Sequence, residues 1–268
     1  MTAQVDLLAG VYAKIGRASK HLADFREATH SFLESEPFTF IHQQNPSMSS
    51  ENVGAEHIEP VPTELSLLFG DAIHNLRSAL DFLACQLVRL NISNHKCKDI
   101  SFPIYSTSED FMNKLDNNTK LMVQPAKSII EQLQPYKHGK GHKLWIIHQL
   151  DIQDKHRLLV VLPPSINSWT RTITSIPMGT DSLPIQSVDE VSLPADKFFT
   201  GHEGAAFDSL DLSDILPGKD VEHNIAYRLN GDIAIDEPGI VQNQSAFATL
   251  QDLAITTIKT VEVFRQLF

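Results

Sequence analysis

Residues 150–160 read LDIQDKHRLLV, and this stretch places ionisable side chains beside the apolar residues of a helical pattern. The ionisable side chains are Asp151, Asp154, Lys155, His156 and Arg157. On a helical wheel both carboxylates fall in the apolar sector that Leu144, Ile147 and Leu158 define. An ionised carboxylate among leucines costs several kcal/mol unless it is paired. Each acid therefore needs a cation, a metal or hydrogen-bond donors, or it must be protonated.

A second polar row supplies the expected cations. HNLRSALD (74–81) lies on a helix whose leucines cluster on one side, while the other side carries Asp71, His74, Ser78 and Asp81, flanked by Arg77. The row is poor in Lys and Glu, the usual residues of a solvated face. We expect the two helices to pack side by side, so that Asp151 and Asp154 meet His74 and Arg77. Within the second helix, Asp151 can also reach Lys155, and Asp154 can reach Arg157.

Two interpretations of this cluster stay open. It is either a buried ion-pair network that fixes the register of two helices, or a catalytic or ligand site. In a catalytic site, His74 would act as general base or acid and Arg77 would stabilise charge, with Asp151, Asp154 and His156 as further candidates. A metal held by His74, His148 and Asp151 is the less favoured reading, and we expect no metal and no cofactor.

A lysine-rich loop, YKHGKGHK (136–143), directly precedes a predicted helix. Its glycines free backbone N–H groups, and the helix dipole favours an anion there. Lys140 and Lys143 are therefore candidates for binding a phosphate or an RNA backbone. The simpler interpretation is a solvated loop.

Composition limits the function classes. The chain has 268 residues and a formal net charge of -11, which argues against a broad nucleic-acid-binding surface. No signal peptide or membrane-spanning run is visible. Cys85 and Cys97 are the only cysteines, which makes a disulfide framework unexpected. These features favour a cytoplasmic protein with no membrane partner.

The elements that position these residues are predicted from periodicity. Helices are expected over 3–35, 63–90, 108–116 (capped by Ser108), 125–134, 143–157 and 244–267, and Thr63 is a plausible N-cap. Strands are expected over two short segments near 37–61 and over 158–240, with Asn230-Gly231 as a hairpin turn. The fold class is α+β: a helical bundle (1–157 plus 244–268) with an antiparallel β block (158–243) inserted before the last helix.

The paired motifs HNLRSALD and LDIQDKHR, with SFPIY and LQPY between them, resemble a group of uncharacterised bacterial proteins with HNLRSxLD and LxxxDxxDKHR helices. That resemblance covers about residues 65–160 and implies no activity. The helical portion also resembles HEPN domains, bundles found in RNases that use an Arg and a nearby His. Arg89 and His95 fit that spacing.

Two functional hypotheses follow. The first is a binding or assembly protein in which the cluster is structural and the long N-terminal helix forms a homo-oligomer. The second is a hydrolase or nuclease, HEPN-like or related, acting on a phosphate-containing substrate or RNA at the cluster.

Overall fold

The fold is that of a computed structural model, which describes residues 6–45, 50–57, 59–159, 161–177, 184–192, 199–200, 206–211 and 221–268. The described helices are α1 (Ala9–Glu34), α2 (Thr63–Arg89), α3 (Ser108–Thr119), α4 (Gln124–Leu133), α5 (His142–His156) and α6 (Ala246–Arg265). Each predicted helix is present. The first begins at Ala9, so it is about 39 Å long at 1.5 Å per residue.

Helix α2 is the centre of the helical core and packs against α1, α5 and α6. It is apolar around most of its circumference, which is typical of a helix with neighbours on several sides. The narrow apolar stripe of α1 packs within the chain, against α2 and α6. Phe25 of α1 contacts Phe69 of α2 edge to face, with 5.9 Å between the ring centroids. Because the stripe is covered by the chain's own helices, α1 does not need a second copy to bury it.

The helix ends differ from the predicted caps by one residue. Thr63 is the first residue of α2 and not its cap, because Pro62 occupies the N-cap position without a side-chain hydrogen bond. Thr107, not Ser108, caps α3 by accepting a hydrogen bond from the backbone N–H of Asp110. Such one-residue shifts are common at helix ends.

The strands form two antiparallel sheets, which confirms the α+β class. They are β1 (Phe38–Asn45), β2 (Ser50–His57), β3 (Val161–Pro177), β4 (Ile185–Ser192), β5 (Phe199–Thr200), β6 (Ala206–Asp211), β7 (Val221–Glu237) and β8 (Val241–Ser245). One sheet has the order β1-β2-β6; the other has the order β4-β3-β7-β8, with β5 also paired to β3. The β1–β2 hairpin lies between α1 and α2, so strands are not confined to the segment before α6.

The predicted hairpin at Asn230-Gly231 is wrong. Both residues lie inside β7, where Asn230 pairs with Ser168 and Gly231 pairs with Ile166 across an irregularity in the ladder. The turn is at Gly239, whose φ of 78° is in the left-handed region, and it joins β7 to β8. A long partner strand, β3, pairs with β7 on both sides of this position, from Val221 to Ile235, and overrides the local turn signal.

The interpretation of the cysteines is also wrong. Cys85 of α2 and Cys97 of the following loop form a disulfide with a Cα–Cα distance of 5.4 Å. The sequence argument failed because it placed the two residues in different environments, whereas the loop folds back onto the helix. Among the described residues, no helix has the length and hydrophobicity of a membrane-spanning segment.

Candidate functional site

Asp151 is the buried centre of the site. It lies on α5 facing α2, and only 2% of its side chain is exposed. His74 Nδ1 lies 2.9 Å from Asp151 Oδ1, and Lys155 Nζ lies 2.5 Å from Asp151 Oδ2. Each carboxylate oxygen therefore has one cationic or donor partner, one from each helix. The predicted contacts of Asp151 with His74 and with Lys155 are both present.

Arg77 does not pair with either acid of α5, contrary to expectation. Its Nη2 donates to Asp81 Oδ1 at 2.8 Å and to the backbone oxygen of Phe102 at 3.1 Å. Asp81 Oδ1 in turn accepts from the backbone N–H of Phe102 at 2.8 Å. Arg77 is buried, and that burial lowers the pKa of its guanidinium, with Asp81 and then Asp151 opposing the shift. Arg77 thus secures the loop at Phe102 to α2.

Asp154 packs against Gly70 of α2. A Cβ added at Gly70 would clash with Asp154 Oδ1, so the absence of a side chain there makes room for the carboxylate. Burial raises the pKa of Asp154, and the nearby carboxylates Asp71 and Asp151 raise it further. The predicted contact of Asp154 with Arg157 does not form, because Arg157 donates to Glu237 of β7 from Nη1 at 3.2 Å and from Nη2 at 2.6 Å.

Asp154→Asn is expected to raise the free energy of unfolding at pH 7, by less than about 1 kcal/mol because the carboxylate is partly exposed. A raised folded-state pKa means that the protein favours the protonated acid. The protonated side chain of Asp154 stabilises the folded protein fully below the unfolded-state pKa, near 3.8. This stabilisation is lost as the pH rises through the folded-state pKa. The gain from the substitution should therefore shrink as pH falls toward 4, in urea unfolding at several pH values.

Glu27→Gln is the matched control, because it removes one negative charge from an exposed position of α1. An equal gain in both variants would attribute the effect to net charge. A loss of stability in Asp154→Asn at pH 7 would contradict the inference that the ionised Asp154 side chain destabilises the folded protein.

His148 is a neutral neighbour of the cluster. Burial, and secondarily the charge of Arg77, lower its pKa to about 4. Its Nδ1 is buried and has no hydrogen-bond partner in the described part of the chain, and the same is true of Arg77 Nη1. His156 is exposed at the last residue of α5 and does not converge with the others. Among the described residues, no three His, Cys, Asp or Glu side chains are arranged to hold a metal.

His74 meets solvent, with 48% of its side chain exposed. In the neutral ring, the bond to the Asp151 carboxylate requires the proton on Nδ1, which leaves the lone pair on Nε2. Nε2 lies 3.5 Å from the Ser78 hydroxyl, at the limit of a hydrogen bond. An imidazole oriented by a buried acid and open at Nε2 can accept a proton from a bound molecule.

The lysine-rich loop is only partly available to an anion. Lys143 Nζ is 2.7 Å from Asp252 of α6, so its charge is already paired. Lys137 lies over the Trp145 ring at 4.9 Å and donates to the Gly239 backbone oxygen. Lys140 is exposed, and nothing in the described chain contacts its ammonium group. Of the two predicted anion-binding lysines, Lys140 alone keeps an unpaired charge.

Sequence reasoning missed three contributors, Gly70, Phe102 and Glu237, and it did not predict that Asp81 pairs with Arg77. A glycine in a helix interior costs about 1 kcal/mol relative to alanine, so Gly70 did carry a signal of close packing. Arg89 and His95, the HEPN-spaced pair, meet through Arg89 Nε and the His95 backbone oxygen at 3.3 Å. The imidazole of His95 is not part of that contact.

Comparison with known proteins adds no relative. No family model, curated protein or solved structure gives a significant match to this chain.

Proposed function

We propose that this is a binding or assembly protein in which His74, Asp151 and Lys155 form an inter-helix polar network, beside which Arg77 and Asp81 hold the adjoining loop to α2. The supporting observation is the almost complete burial of Asp151, whose oxygens are taken by His74 from α2 and Lys155 from α5. Such a network contributes most by fixing one register between two helices, since a displaced helix would leave a buried charge unpaired.

Assembly into a homo-oligomer has some support from the surface of α6. Three large apolar side chains on this helix are exposed: Ile255, Ile258 and Val263. Sedimentation velocity of the whole protein tests this proposal, and Ile255→Lys/Ile258→Lys is expected to shift a dimer to monomer. A wild-type protein that is monomeric at every concentration would contradict assembly through copies of itself.

A hydrolase or nuclease, HEPN-like or otherwise, is the second candidate. It is favoured by the half-exposed His74 and by the raised pKa of Asp154, since carboxylates destabilised in this way are frequent at active sites. Beside Asp154 lie two further carboxylates, Asp71 and Asp151, which His74 and Lys155 only partly offset. A phosphate-containing substrate would therefore need to bind its phosphate away from these acids.

A degradation screen on RNA and nucleotides, comparing wild type with His74→Ala, separates the two candidates. Loss of a wild-type activity with retained stability supports catalysis. A stable His30→Ala protein, altered at an exposed histidine of α1, is the control. If wild type degrades none of these substrates and His74→Ala only loses stability, the network is structural. We propose a cytoplasmic location in a bacterial cell with either function. The Cys85–Cys97 disulfide opposes this location, because disulfides are rare in a reducing cytoplasm.

A further inference from the structure

A groove with a volume of about 330 Å³ lies between the loop after α2 and the C-terminal part of α3. The loop contributes His95 and Lys98, and the α3 side contributes Asn117, Asn118 and Lys120. The volume is at the lower end of the range for small-molecule sites. The groove belongs neither to the cluster around Asp151 nor to the lysine-rich loop.

The groove is basic in an acidic protein. Lys98 and Lys120 line it together with one carboxylate, Asp99, whereas the whole chain has a formal charge of -11. In the described part of the chain, neither ammonium group is within salt-bridge distance of an acid; Lys120 donates instead to the Asn117 side-chain oxygen at 2.9 Å. Two cations without acidic partners are attractive to an anion.

His95 adds a directed donor. Its Nδ1 accepts the backbone N–H of Cys97 at 3.0 Å, so the proton of the neutral ring must be on Nε2. No acceptor for Nε2 is present among the described residues. Asn117 Oδ1 is used by Lys120, which leaves the amide N–H groups of Asn117 as donors too.

The loop that carries these groups is fixed in place. The Cys85–Cys97 disulfide ties it to α2, one residue before Lys98. The two residues that flank Lys98 have left-handed backbones, with φ of 54° at Cys97 and 64° at Asp99. A non-glycine residue in this region is held there by its surroundings. The groove is therefore preorganised, which lowers the entropy lost on binding.

We propose that this groove binds a small phosphate monoester of nucleotide size, with the phosphate between Lys98, Lys120 and His95. Ile100 and Leu121 also line the groove and offer an apolar surface for the rest of the ligand. The inference does not depend on the proposed function.

The test is isothermal titration of the whole protein with adenosine monophosphate and, separately, with inorganic phosphate. Lys98→Ala and Lys120→Ala are each expected to weaken binding about tenfold, the effect of one charge-assisted hydrogen bond. Lys114→Ala is the matched control, because Lys114 is on α3 but pairs with Asp110 outside the groove. Lys140→Ala tests the lysine-rich loop in the same way.

The site is supported if wild type binds both probes, or the nucleotide alone, and if the Lys98 and Lys120 variants lose that binding. Comparison of the two probes distinguishes a site for an inorganic anion from a site for a nucleotide. Absence of saturable binding of either probe overturns it. Equal weakening by Lys114→Ala overturns it as well, because the effect would then reflect net charge. If Lys140→Ala alone weakens binding, the anion binds at the lysine-rich loop and not in the groove. If the protein binds a short RNA but neither small probe, the surface binds nucleic acid and the proposal fails.

Discussion

The double variant His74→Leu/Lys155→Met is expected to lower the free energy of unfolding by about 3–5 kcal/mol at pH 7. Both substitutions keep apolar bulk but remove the two groups that neutralise the Asp151 carboxylate, which is 2% exposed. A buried acid without partners must either remain charged in a medium that solvates it poorly or bind a proton. Urea unfolding at pH 7 measures the loss.

The ranking of the single, double and triple variants by their free energy of unfolding makes this test specific. Each single substitution leaves one partner on Asp151 and should cost less than the double. Adding Asp151→Leu to the double variant should restore most of the stability, because no charge is then left buried. Failure of that third substitution to restore stability, or a double-variant loss under about 1 kcal/mol, would show that water reaches Asp151 and that the network does not hold the helices.

The helical pairing could be predicted because it rests on periodicity. The position of an acid inside an apolar sector identifies a buried charge, and the polar row of α2 identifies its neighbour. Asp151 meeting His74 follows from these two patterns. The partner of Arg77 does not, because a wheel gives the direction of a side chain but not what a distant loop will offer it. The backbone of Phe102 belongs to such a loop.

Local signals failed where a non-local contact was stronger. Asn230-Gly231 is a good turn sequence, yet β3 continues past it and pairs with both residues. Leu158 fits the apolar sector of α5, but the helix ends at His156 and Leu158 is exposed, while Leu159 is buried. Arg157 similarly leaves the helix and binds Glu237 of β7. The errors at Leu158 and Arg157 both lie where α5 ends before β3, and a period calculated from one element cannot describe a junction.

Cys85→Ala/Cys97→Ala is expected to lower the free energy of unfolding by about 3 kcal/mol, as the chain-entropy treatment gives for a loop of this length. The two residues are 12 positions apart, and the crosslink restricts that segment in the unfolded chain. Urea unfolding of the oxidised wild type against the variant measures the loss. A reductant should reproduce it in the wild type and leave the variant unchanged.

The same variant also connects the disulfide to the polar network. Phe102 lies five residues after Cys97 and holds both Arg77 and Asp81 through its backbone. Because the crosslink fixes the start of this loop on α2, its removal should speed hydrogen exchange at the Phe102 amide more than at amides of α6. Thiol titration of the unfolded wild type under non-reducing conditions tests whether Cys85 and Cys97 form the disulfide. Two free thiols there would refute the disulfide and would fit a reducing cytoplasm, whereas a crosslinked protein would argue for an oxidising compartment.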